Sequence, residues 1–281
     1  MSQDAMLDAH VPTDSRKDDG GPNPPEILER MLGARDALAP RLKIGVIGPS
    51  TNTIVQPDFE AMKPAGVTNH YSRIIVEDAN AISNESFREG TIQIANNVLD
   101  AVRSVLSSKP DYLSMGMSAV TFWGGKEGAV KFRKSVEDIA GLSLSCGSES
   151  LISAFNAYGG VKRVAFLSPY YPVANAQVRR FLEDHGIEVV RDICLKCPSW
   201  TAIAHVREEY LRDQLWRLDG PDVDAIVQVG TNLSMVRLAA AAELWLDKPV
   251  VAINTSTYWQ ALRGAGITDQ FEGFGRLFSD F

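Results

Sequence analysis

Asp111-Tyr-Leu-Ser-Met-Gly-Met-Ser118 reads as an apolar strand that runs into a glycine and then a hydroxyl. Asp224-Ala-Ile-Val-Gln-Val-Gly-Thr-Asn232 repeats that grammar, with an acidic lead-in, a strand, and Gly230 followed by Thr231 and Asn232. In open parallel sheets, loop amides and helix N-termini point outward past the carboxyl ends of the strands, and ligands bind there. Two such ends in one chain predict the two walls of a single small-molecule site.

Outward from these stretches, short apolar runs alternate with segments of helical period. Strands are predicted over 42–48, 67–76, 112–115, 142–145, 161–167, 187–193, 225–229 and 250–253. Helices are predicted over 58–62, 83–106, 129–139, 175–185, 201–215, 235–246 and 256–264. The alternation implies right-handed βαβ units and parallel sheets. Motifs recur in order as well: Gly48-Pro49-Ser50 returns as Ser168-Pro169-Tyr170, and Gly116-Met117-Ser118 as Gly230-Thr231-Asn232. The strand end at Cys146-Gly147-Ser148 returns at Asn254-Thr255-Ser256, and the offsets of about 105–120 residues describe duplication of a whole domain.

The expected fold class is α/β: two similar Rossmann-like domains with parallel sheets, related by a pseudo-twofold, with the active site in the cleft between them. The boundaries expected are a disordered arm over 1–25, a short helical lead-in over 26–40, and domains over 41–150 and 151–260. Residues 261–281 are expected to pack back on the first domain.

A net charge of −7 on 281 residues argues against non-specific binding to nucleic acid or anionic membranes. No apolar run approaches the roughly 20 residues of a membrane span. The polar, acidic N-terminus does not read as a secretory signal, so a cytoplasmic location is expected. The three cysteines then read as reduced thiols. Cys194 and Cys197 form a C-x-x-C with no second pair to complete a zinc site, and it closes a strand rather than opening a helix, so no metal is expected. Gly45-Val-Ile-Gly48 lacks the third glycine of a dinucleotide turn, and no Gly-Lys-Ser/Thr is present. No cofactor is expected.

The predicted cleft receives Ser50, Thr51, Asn52, Gly116, Met117 and Ser118 from the first half. From the second it receives Tyr170, Tyr171, Gly230, Thr231 and Asn232. Neutral hydroxyls, amides and backbone N–H groups at strand and helix ends suit a carboxylate or an oxyanion. Any one of these residues is commonly a helix cap. Their recurrence in both halves favours a site.

These residues carry a resemblance to the aspartate/glutamate racemase superfamily, in the branch of arylmalonate decarboxylase and maleate cis-trans isomerase. It runs from about residue 42 to the C-terminus. Pro49-Ser-Thr-Asn-Thr53, with Phe59-Glu-Ala-Met62, resembles the isomerase segment whose asparagine holds a substrate carboxylate. Met115-Gly-Met-Ser118, with Phe122-Trp-Gly-Gly125, resembles the decarboxylase segment that builds part of a dioxyanion hole. Pro169-Tyr170 resembles the motif whose tyrosine faces a carboxylate, and Gly273-Phe-Gly-Arg-Leu-Phe278 the C-terminal signature of the branch.

The resemblance implies a cofactor-independent enzyme acting on a small carboxylate, as monomer or homo-oligomer. It also implies a cysteine at one or both of two positions, which are Gly116 and Gly230 here. The expected catalytic residues are Tyr170, Ser118, Gly116 and Gly230, the two glycines opening space for substrate. Asn52, Ser50, Met117, Thr231, Asn232 and Tyr171 are expected to bind it, and Phe122 and Trp123 to line the apolar side. With both thiols replaced, the proton donor is sought among Tyr170, Tyr171, His70, Cys146 and water. The leading expectation is a decarboxylase-like lyase that holds an enediolate in an oxyanion hole. The alternatives are maleate-type isomerisation and a carboxylate-binding protein without catalysis.

Overall fold

Leu42–Pro49 (β1) is apolar on both faces, with Ile44, Val46 and Ile47 fully buried, the pattern of a strand covered by helices on either side. In the computed structural model it pairs in parallel with Val67–Ile74 (β2) and Tyr112–Met115 (β3). Leu144–Ser145 (β4) completes a sheet of order β2-β1-β3-β4. Arg163–Ser168 (β5), Glu188–Cys194 (β6), Ala225–Gln228 (β7) and Val250–Ala252 (β8) form the second sheet, all parallel, in the matching order β6-β5-β7-β8. The described residues are 31–78 and 82–281, of which 38–281 form one compact unit. The arm over 1–25 and the first residues of the lead-in lie outside them.

Within residues 38–281 the helices described are Val55–Ala61 (α1), Asn84–Leu106 (α2), Gly125–Ala140 (α3), Gly147–Ala157 (α4), Pro172–Glu183 (α5), Glu208–Leu218 (α6), Val236–Leu246 (α7), Ile253–Gly264 (α8) and Arg276–Ser279 (α9). α2 begins at a reciprocal cap in which Ser83 accepts from the Ser86 N–H and Ser86 accepts from the Ser83 N–H. Its buried stripe, Phe87, Ile94, Val98, Val102 and Val105, recurs at helical spacing.

Two expectations are corrected. The helix expected over 201–215 is a 3₁₀ turn, Ala202–His205, an extended Val206, and then α6. Asp78 accepts from both the N–H and the hydroxyl of Thr201, and this anchor sets the path of the loop before helix formation resumes. The helix α4 has no counterpart among those expected. Its first turns are mostly Gly and Ser, which hide the apolar period of Leu151, Ala154 and Phe155. It packs against α8 through hydroxyls, with Ser150 Oγ 3.3 Å from Ser256 Oγ.

In both sheets the order of winding reverses between the two central parallel strands, β1 and β3 in one, β5 and β7 in the other. The crevice outside such a reversal is where open α/β sheets bind ligands.

Candidate active site

A cavity of about 40 Å³ lies where those four strand ends converge. Pro49 ends β1, and Thr51 and Asn52 follow it; Met117, Ser118 and Ala119 follow β3; Tyr170 follows β5; Gly230, Thr231 and Asn232 follow β7. Ile94 of α2, Trp200 and Ile203 close the apolar side. Trp200 lies in a notch at Gly90, where an added Cβ would stand 2.8 Å from its ring. The volume is far below the roughly 300–1,000 Å³ of pockets for drug-sized ligands, so this partly open cavity suits a compact ligand.

Hydrogen-bond capacity separates the polar residues that resemble one another in sequence. Asn52 Oδ1 accepts from the N–H groups of Ile54 (3.0 Å) and Val55 (2.9 Å), capping α1. Its Nδ2 donates to Thr231 Oγ1 at 2.9 Å, and one N–H remains. Thr231 Oγ1 donates in turn to the Gly116 carbonyl at 3.1 Å, so it has no proton left for a carboxylate. Asn232 is fully engaged: its oxygen accepts from Thr53 and Ile54, and its nitrogen donates to the carbonyls of Trp200 and Thr51. Its side chain joins the two halves and has no donor left for a ligand.

Ser118 Oγ and Tyr170 Oη are 2.8 Å apart across the two halves, both buried. Burial pushes the Tyr170 phenol above its ordinary range, while Ser118 and the Ala119 N–H favour the phenolate and limit the rise. The phenol is therefore a neutral donor at neutral pH. The backbone N–H groups of Met117, Ser118, Thr231 and Asn232 have no hydrogen-bond partner among the described residues, and all four residues line the cavity. Arg73 donates to the Asn52 carbonyl at 2.9 Å, which sets a positive charge behind the loop. Such a set can bind a carboxylate and stabilise negative charge developing on it.

The two glycines differ. At Gly230 φ is +109° and an added Cβ would stand 2.5 Å from the Pro169 ring, so the backbone itself demands glycine. At Gly116 an added Cβ would meet the Val55 side chain at 3.2 Å and the Ile47 carbonyl at 3.3 Å. Neither hydrogen therefore faces open space, and the expectation that they make room for substrate is corrected on that geometry.

Other expected residues lie off the cavity. Ser50 exchanges hydrogen bonds with the Val76 backbone on the surface. Tyr171 is the N-cap residue of α5, its ring beside Phe87. Phe122 is buried edge-on against Phe181, and Trp123 is half-buried at the start of α3. His70 sits on the edge strand β2, bonded to Thr68 at 2.8 Å. Cys146 is buried at the end of β4, and burial drives its thiol well above the ordinary range. Burial lifts Cys194 and Cys197 to about 11. No thiol is among the residues lining the cavity.

Ile94, Trp200 and Ile203 went unmarked in the sequence because a buried helix position and an irregular loop carry no ligand signal. Asp58 also escaped notice. It is half-buried in the first turn of α1, where burial raises its carboxyl to about 6 against the opposing pull of Asn254 and Arg237.

Comparison with known proteins adds the following. The model of a family described as arylmalonate decarboxylase matches residues 44–278. The chain is 25% identical over 195 residues to the arylmalonate decarboxylase of Bordetella bronchiseptica, covering 68% of this chain and 81% of that one. It is 24% identical over 259 residues to the maleate isomerase of Geobacillus stearothermophilus, covering 86% and 99%. Among solved structures, a mutant maleate cis-trans isomerase of Nocardia farcinica with a covalently bound succinylcysteine intermediate superposes with a TM-score of 0.77 at 20% identity. That match covers 85% of this chain and 99% of that one, a likeness of fold.

Proposed function

This chain belongs to the arylmalonate decarboxylase family, and from that premise we propose that it is a cofactor-independent lyase of small malonate-type dicarboxylates. The retained carboxylate is held by the amides of Met117 and Ser118, those of Thr231 and Asn232, and the remaining N–H of Asn52. The departing carboxylate lies against Ile94, Trp200 and Ile203, where a poorly solvated charge is destabilised and neutral CO₂ is not. The bond to that carboxylate breaks, and its electron pair passes into an enediolate stabilised by the amide donors. With Ser118 donating to Tyr170, the phenol O–H is directed to the carbon and protonates it. Solvent then returns the proton to Tyr170, so one dicarboxylate and one proton yield one monocarboxylate and CO₂.

The observation that carries this reading is the 2.8 Å Ser118–Tyr170 pair beside unpartnered amides in a cavity without a thiol. The test is incubation with malonate, methylmalonate and phenylmalonate, following CO₂ release. The small cavity predicts turnover of the first two and not the third. Failure to release CO₂ from any of them overturns the decarboxylase reading.

One observation favours a second reading, maleate-type cis-trans isomerisation: Asn52 keeps a free N–H on the loop that resembles the isomerase segment. It requires a nucleophile that the cavity wall does not offer as a thiol. Fumarate appearing from maleate by NMR would support it. Ligand-induced thermal stabilisation without turnover of either acid would point to a carboxylate-binding protein.

A further inference from the structure

Asp58 is a carboxylate that no step above uses. Its Oδ2 accepts from Asn254 Nδ2 at 2.7 Å, and the same nitrogen donates to the Thr231 carbonyl at 3.0 Å. Thr231 Oγ1 accepts from Asn52, and Asn52 caps α1, the helix that carries Asp58. The links close a ring through both halves of the molecule, from α1 through Asp58, Asn254, Thr231 and Asn52 back to α1. We propose that Asp58 is a positioning residue which, through Asn254, holds Thr231 and the adjoining amides in register with the first wall for a ligand carboxylate. This rests on the carboxylate-binding reading above.

Three observations support it. Asn254 is buried and its Oδ1 has no partner among the described residues, so its orientation rests on the two acceptors facing its nitrogen. Rotating the amide would turn its oxygen toward two other oxygens; without Asp58, one of the two constraints is gone. The carboxylate is also expensive where it stands, since burial raises it to about 6 and a neutral side chain would carry no such penalty. Arg237, the charged group that faces it, directs its guanidinium to the Gly273 carbonyl instead of forming an ion pair.

The experiment measures binding of malonate and methylmalonate by calorimetry to wild type, Asp58→Ala, Asp58→Asn, Asn254→Ala and the double Ala variant, with each variant's Tm recorded. Asp58→Ala should bind about tenfold more weakly, and Asn254→Ala equally so. Asp58→Asn should retain affinity within about threefold, because its amide oxygen still accepts from Asn254. The double variant should be no weaker than either single one, the signature of two residues acting through one path. Wild-type affinity in Asp58→Ala, or additive losses in the double variant, overturns the inference while the carboxylate reading stands. If Asp58→Ala does not fold, Asn254→Ala alone must show the loss. Wild type that binds neither acid overturns the carboxylate reading and this inference with it.

Discussion

The two walls of the cavity are built on sheets of the same strand order, yet they do different work. The wall after β1 and β3 keeps capacity for a ligand: one N–H on Asn52 and the unpartnered amides of Met117 and Ser118. In the wall after β7 the side chains of Thr231 and Asn232 are engaged in holding the halves together, which leaves their backbone N–H groups for a ligand. Tyr170, after β5, brings a side-chain O–H from the second half that is paired with Ser118. Duplicated topology thus supplies two equivalent places, and hydrogen-bond capacity decides which groups are reactive and which are structural.

The sharpest way to break this comparison is to remove the one reactive group of the second wall. Tyr170→Phe keeps the ring and should lower turnover about 10²–10⁴-fold with little change in Tm, the range for loss of a positioned acid. Steady-state kinetics on methylmalonate checks it. The glycines come next. Gly230→Ala combines a positive φ with a clash against a rigid ring and should cost about 3 kcal/mol, whereas Gly116→Ala should cost about 1 kcal/mol. Denaturant titration of both variants measures the difference. Asn232→Ala then leaves the Thr53 N–H and the Trp200 carbonyl unpaired and should cost about 2 kcal/mol of stability. Asn52→Ala, by contrast, should cost about 1 kcal/mol as a lost cap and weaken malonate binding as well.

A pH-dependent effect concerns Asp58. Its carboxyl, raised from 3.8 to about 6, favours the protonated form in the folded state. The stability it contributes is complete below 3.8 and lost as pH rises through about 6. Asp58→Asn escapes that loss, so its Tm advantage over wild type should be a few °C larger at pH 8 than at pH 4. Calorimetric scans at the two pH values check the sign.

Much of this arrangement was legible in the sequence. Alternating apolar runs and helical periods give parallel sheets, and the glycine-hydroxyl ends of 111–118 and 224–232 mark the carboxyl ends of β3 and β7. Ser118, Tyr170, Asn52 and Thr231 do meet at one cavity. What stayed hidden depends on contacts between residues far apart in the chain. Asn232 reads as a donor until Thr53 and Trp200 are seen to engage it, and Gly230 reads as open space until Pro169 is placed beside it. Phe122 and Trp123 look like an aromatic wall in sequence, but the 3₁₀ turn after Ser118 carries Phe122 toward Phe181. Asp58 has no motif at all, because its partner Asn254 lies on α8 in the other half.

The central claim is that a phenol, and no thiol, returns the proton after CO₂ leaves. It is tested most directly by incubating methylmalonate in D₂O with wild type, with Tyr170→Phe, and with a variant carrying alanine at Cys146, Cys194 and Cys197. The account predicts CO₂ and singly deuterated propionate at the same rate from wild type and from the cysteine-free variant, and both at least about 10²-fold more slowly from Tyr170→Phe. Loss of turnover in a folded cysteine-free variant, or a rate near wild type in Tyr170→Phe, would contradict it.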